Sequence, residues 1–164
     1  RKVAGGTVGR AYGGDALWFV GNDGTSAKIY TPPPSTMVQW FDVDRRRGDT
    51  VVWGERADSG AFTLWEAPLV KTTGGAKPRK LHSQATSYGA FVANAGAVFF
   101  LGEAPGQLRV VRAADLGTET LAAPATDRPL EPVWVDEKEI WFTTEPSATF
   151  PAGSARSWIV RLTR

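Results

Sequence analysis

The chain has no cysteine, which removes disulfides, thiolate metal sites and a cysteine nucleophile from consideration. That absence leaves the compartment open, because exported proteins without disulfides are common. There is one histidine, His82, in a stretch that reads as a solvent-facing loop between repeats. No serine sits in a Gly-x-Ser-x-Gly elbow, so a Ser-His-Asp system has neither its nucleophile nor a placed imidazole. One histidine and no cysteine also leave a transition metal without a ligand set. No catalytic residue, metal or cofactor is therefore assigned. No apolar run approaches the roughly 20 residues that cross a bilayer as a helix. Charge of one sign is scarce too: 19 basic and 17 acidic residues give a net +2. Acids interrupt the basic clusters, as Asp42, Asp44 and Asp49 do around Arg45–Arg47. Nucleic-acid binders gather positive charge on one face, so nucleic acid is not an expected partner. The sequence opens Arg1-Lys2-Val3 with no initiator methionine or signal-like segment. It reads as a chain that has lost a leader or as a piece of something longer.

What is abundant is β-sheet material and turn punctuation. Seven Trp and eight Phe accompany eighteen Gly and eleven Pro in 164 residues, with room for one domain over residues 1–164. A strand pair recurs four times. Its first members are Ala16–Val20, Thr50–Trp53, Ala97–Leu101 and Glu139–Thr143; its second members are Lys28–Tyr30, Thr63–Trp65, Leu108–Val111 and Ser157–Val160. The central residues Leu17, Val51, Val98 and Ile140 lie 34, 47 and 42 apart, close to the roughly 40–50 residues of a four-stranded propeller blade. A small sheet cannot bury its own faces, so such repeats stack on one another.

The middle repeats predict full blades. Met37–Val43, Thr50–Trp53, Phe62–Trp65 and Arg79–Leu81 make one; Tyr88–Ala93, Val98–Leu101, Leu108–Arg112 and Thr120–Ala122 make the next. The fourth has Pro132–Val135, Ile140–Thr143 and Trp158–Leu162. In the first repeat Ala16–Val20 reads as the second strand. Its outer strand is expected to be stunted or missing, because Pro32, Pro33 and Pro34 fill the gap and proline cannot donate to a ladder. Arg1–Val3 resembles the outer strand Arg79–Leu81 and could supply the one that the last repeat lacks, closing a ring. The alternatives are a partial ring, or half of a larger propeller completed by another chain. A β-sandwich also has short, evenly spaced strands, but not the same residue order inside each repeat.

Candidate chemistry is sparse. Asp42 and Asp44 share a strand face, with Arg45–Arg47 expected to pair with them, and an arginine stands where a calcium loop needs its third ligand. Arg47-Gly48-Asp49 spells an integrin-recognition tripeptide inside an expected tight turn. Recognition is expected instead on the loops joining second and third strands, Gly21–Ala27, Glu55–Ala61, Glu103–Gln107 and Glu145–Arg156, which would emerge on one side. The residues taken from them are Asn22, Asp23, Arg56, Asp58, Glu103, Gln107 and Phe150. Trp40 and Trp134 join them, since they lie on inner strands where they either fill the core or face a channel, with a carbohydrate platform as one use.

Asp49–Trp53 followed by Phe62–Leu69 resembles the WD40-like repeats of TolB-type β-propellers, whose relatives form the propeller of prolyl-oligopeptidase-family serine peptidases. The resemblance runs through all four repeats. It implies a bladed ring that binds through its channel or rim, and carries over no catalytic residue. The Ser-x-Asp-x-Gly-x-x-Trp turn of sialidase-type propellers is not matched at Ala57–Gly60 or Thr25–Tyr30. The expectation is an all-β, propeller-like protein of four antiparallel blades. It would be a non-catalytic scaffold, extracellular or in the cell envelope, that engages a protein or peptide through rim loops. The alternative is the accessory propeller of a hydrolase, serine peptidase or glycosidase, with catalytic residues elsewhere.

Overall fold

Short runs of β-branched and aromatic residues broken by Gly, Pro and Asx turns favour strands and leave helices no uninterrupted stretch to occupy. A computed structural model describes residues 1–89, 91–104, 107–121, 130–135, 139–144 and 156–161, with Arg45 and the last three segments described by backbone alone. It is all-β, with fifteen strands and two short 3-10 turns among the described residues. Two compact units divide at Ala85/Thr86.

In the first unit, β1 (Lys2–Val3), β2 (Gly6–Arg10), β3 (Leu17–Gly21) and β4 (Ser26–Tyr30) form an antiparallel sheet in chain order. A second sheet follows in the same way from β5 (Thr36–Asp44), β6 (Thr50–Ala57), β7 (Phe62–Pro68) and β8 (Arg79–Gln84). The second unit repeats the pattern with β9 (Val92–Asn94), β10 (Ala97–Leu101), β11 (Leu108–Arg112) and β12 (Thr118–Leu121). It adds a three-stranded sheet of β13 (Leu130–Val135), β14 (Glu139–Thr144) and β15 (Arg156–Arg161). Within that unit β13 lies against β9 and β10.

The strand reading holds for the second, third and fourth sheets and fails in the first. Leu17–Gly21 is the third strand of its sheet, not the second, and Ser26–Tyr30 is the fourth, so no outer strand is missing. The strand that went unread is β2, Gly6-Thr7-Val8-Gly9-Arg10, which has one apolar side chain and two glycines. Gly6 works there because a Cβ would strike the Val20 carbonyl and stand 2.8 Å from the Phe19 ring. Lys2–Val3 pairs with β2 through Lys2↔Thr7 and Val3↔Gly6, so it opens the first sheet rather than supplying the last one with an outer strand. Pro32–Pro34 belong to the connection between the two sheets.

The two sheets of the first unit share a core. Val8, Leu17, Phe19, Ala27 and Ile29 come from the first, and Val38, Val43, Val51, Trp53 and Ala67 from the second. Along β6 the alternate face is buried as well: Val52 pairs with the buried Glu66 of β7, and Leu64 and Phe62 follow on the same face of β7. β4 would be an open edge. The excursion between β7 and β8 covers it, with Gly74 N–H donating to the Lys28 carbonyl at 2.8 Å and Ala76 N–H to Ile29 at 3.1 Å.

Candidate functional site

The two predicted recognition loops of the first unit are tight hairpins that lie at opposite ends of β6. In the β3–β4 turn, Asp23 Oδ1 accepts from the Thr25 hydroxyl at 2.7 Å and from the Thr25 N–H at 3.0 Å. Those hydrogen bonds lower the Asp23 carboxyl below the usual range. Asn22 N–H donates to the Gly5 carbonyl at 3.0 Å, and Ala4 N–H to Asp49 Oδ2 at 3.0 Å. The β3–β4 turn therefore lies at the Asp49 end of β6. Arg56 and Asp58 lie at the other end, where Asp58 N–H donates to the Ser35 carbonyl at 2.9 Å. The eight residues of β6 separate the two turns by about 25 Å. Consecutive turns of a meander alternate ends, so one uncounted strand in the first sheet moved its loop to the wrong one. Glu103 and Gln107 occupy the β10–β11 turn of the second unit, where Gly102 N–H donates to the Gln107 carbonyl at 2.8 Å. Phe150 lies outside the described residues, and Trp134 is placed by backbone on β13 opposite Trp141.

Two motifs read from the sequence are committed to structure. Arg47 donates to Glu66 Oε2 at 2.7 Å, and Asp49 accepts from Ala4, so both ends of the Arg-Gly-Asp tripeptide are engaged. Asp42 pairs with Arg1 at 3.0 Å, and Asp44 caps the following turn by accepting from Arg46 N–H at 3.2 Å. The expected pairing with the Arg45–Arg47 side chains is thus replaced, for Arg47, by Glu66. His82 is half-buried on β8 opposite Leu64, not in a loop. Among the described residues no group of three or more His, Cys, Asp or Glu side chains could hold a metal.

Trp40 is the predicted residue that lines a pocket. It is 41 % exposed on β5. The pocket, of about 390 Å³, is lined by Arg1, Arg10, Gln39, Trp40 and Phe41. Its local cause is a bulge. Val38 faces Glu55 and Trp40 faces Gly54, leaving Gln39 as the extra residue. In a regular strand successive carbonyls point to opposite sides. Here the Val38 and Gln39 carbonyls both accept from Arg10 Nη1, at 3.0 Å for Val38. Gly14 closes the same corner: at φ +78° a Cβ would collide with the Val38 carbonyl oxygen. The Tyr12–Gly14 turn is thereby pressed on β5 with the Tyr12 side chain fully exposed.

Arg56 belongs to the same surface. It pairs with Met37 across β5 and β6, two register steps from Trp40 and Gly54, and its guanidinium lies 6.0 Å from the Phe62 ring centroid. Met37 is 41 % exposed. The structure thus joins Trp40 with Arg56, and adds Arg1, Arg10, Tyr12 and Met37, which sequence reasoning passed over. The available signal was Tyr12 bracketed by Ala11 and two glycines, an aromatic with no strand to serve. No protein-family model matches the chain, and no curated protein is similar to it.

Proposed function

We propose that this chain is a non-catalytic binding module of propeller-type blades, and that it engages a protein or peptide where the Tyr12–Gly14 turn meets β5. The carrying observation is the placement of exposed apolar side chains. Six large hydrophobic residues are exposed among the described ones, and three of them lie on these two elements, Tyr12 on the turn and Met37 and Trp40 on β5. A pocket lies beside them. Exposed aromatic and methionine side chains on a rigid frame are what binding surfaces are enriched in. The blade reading is supported by successive antiparallel meanders and by burial of both faces of β6.

The test is a peptide-library selection on the immobilised chain, beside a variant with Tyr12→Ser, Met37→Ser and Trp40→Ser together. Peptides should be enriched by the wild type and lost by the variant, while Asn22→Ser at the opposite end of β6 keeps them. Enrichment that survives the triple change removes this site.

A further inference from the structure

The same corner specifies the charge of its partner, and we infer that it takes an extended acidic peptide segment carrying a large apolar side chain. This rests on the binding reading above and adds the chemistry of the ligand. Arg10 reaches only neutral carbonyls, those of Val38 and Gln39. Arg56 lies over the Phe62 ring. Neither guanidinium has a carboxylate partner among the described residues, so both keep an uncompensated positive charge at the surface. Arg1 already shares its charge with Asp42. The pocket lining holds two guanidinium groups, an indole, a phenyl ring and an amide, with no carboxylate. Asp15 and Asp58 are exposed nearby in sequence but outside that lining.

The extended form follows from β5. That strand ends its sheet, paired with β6 on one side only, and its Gln39, Trp40 and Phe41 line the pocket, with the Val38 and Gln39 carbonyls taken by Arg10. A strand edge recognises main chain, and pockets beside it select alternate side chains. An acidic side chain meeting Arg10 or Arg56 then places its apolar neighbour against Trp40 and Met37. A single-stranded nucleic acid would also meet cations and an indole, but it makes no use of a peptide edge.

The peptides recovered in the selection above are the probes. They should be enriched in Asp and Glu beside an aromatic or large aliphatic residue. By fluorescence anisotropy, Arg10→Gln, Arg56→Gln and Trp40→Ala should each weaken binding about tenfold, with affinity falling as salt rises. Arg10 also anchors the bulge, so Arg56→Gln and Trp40→Ala, both at exposed positions, report on recognition without that burden. Peptides with no acidic bias, or binding indifferent to Arg56→Gln, overturn the inference while leaving the binding reading intact. Displacement of the peptides by a thymidine decamer at matching concentration overturns it in favour of nucleic acid. A selection that yields no peptide removes both.

Discussion

Tyr30 donates its phenolic hydrogen to the Glu55 carboxylate, joining the last strand of the first sheet to the second strand of the next. The same oxygen, Oε1, accepts from the Trp53 indole at 3.0 Å, and the Tyr30 and Trp53 rings lie 4.7 Å apart. Glu55 is buried. Two donors on one oxygen offset part of the cost of holding a carboxylate away from water. The arrangement provides no second acid and no nucleophile, so its consequence is for packing: the two sheets have one relative position in which Glu55 is satisfied.

The pH dependence of stability should carry the mark of that contact. Burial first, then the hydrogen bond to Glu55, pushes the Tyr30 phenol well above its ordinary value of 10.0. The folded state then keeps a proton that the unfolded state releases. Its contribution is complete below pH 10 and is lost as pH rises beyond that, through the folded value. Tyr30→Phe should lower stability at neutral pH by about 1–2 kcal/mol. It should also flatten the alkaline decline, as urea melts between pH 8 and 11 would read. Equal alkaline slopes in wild type and variant would refute the contact.

Trp53 is fully buried at the centre of the shared core, in contact with Tyr30 and bonded to Glu55. Trp53→Ala opens a cavity and also takes a donor from a buried carboxylate, so the loss should reach about 3–5 kcal/mol. Trp65, only partly buried at the register position opposite, should cost clearly less on the same change. Chemical denaturation of the two variants ranks them; the reverse order would centre the core on β7 rather than on β6.

The strands that could be read from sequence are those whose own side chains fill the core. Val51, Val52 and Trp53, or Val98, Phe99 and Phe100, announce burial by themselves. β2 could not be read that way, because glycine at position 6 serves by leaving room for Phe19 and Val20. The site was half legible for a related reason. Trp40 stood out as an aromatic on an inner strand that could face a channel, whereas Arg10 and Tyr12 gain meaning only once their loop is folded against β5, 28 residues away from Arg10 at Val38. Glu55 gave no signal either: a charged residue at a strand end reads as exposed until Tyr30 and Trp53 are placed around it.

Glu66 offers a test of coupling. Its buried carboxylate takes Arg47 at 2.7 Å and Arg79 through Nε at 3.0 Å, while those arginine side chains are 34 % and 50 % exposed. Losing one arginine leaves the carboxylate still paired, so Arg47→Met and Arg79→Met should each cost about 1 kcal/mol. Losing both strands a buried charge, and the double variant should exceed the sum by at least about 1 kcal/mol. A double-mutant cycle by urea melting measures this directly, and simple additivity would show that water already screens Glu66.

Two glycines with the same backbone sign separate strain from collision. Gly14 and Gly24 sit at φ +78° and +84°, where any other residue is strained. Around Gly24 there is open space, so Gly24→Ala should cost about 1 kcal/mol and nothing more. A Cβ on Gly14 meets the Val38 carbonyl, a backbone atom that Arg10 and the β5 bulge hold in place. Relief requires the Tyr12 turn to lift from β5, so Gly14→Ala should cost visibly more than Gly24→Ala. It should also weaken the peptides selected at Trp40, because the corner that presents Tyr12 opens. Equal costs for the two alanines, with peptide binding untouched, would mean that the turn does not rest on the strand and that Tyr12 and Trp40 are separate surfaces.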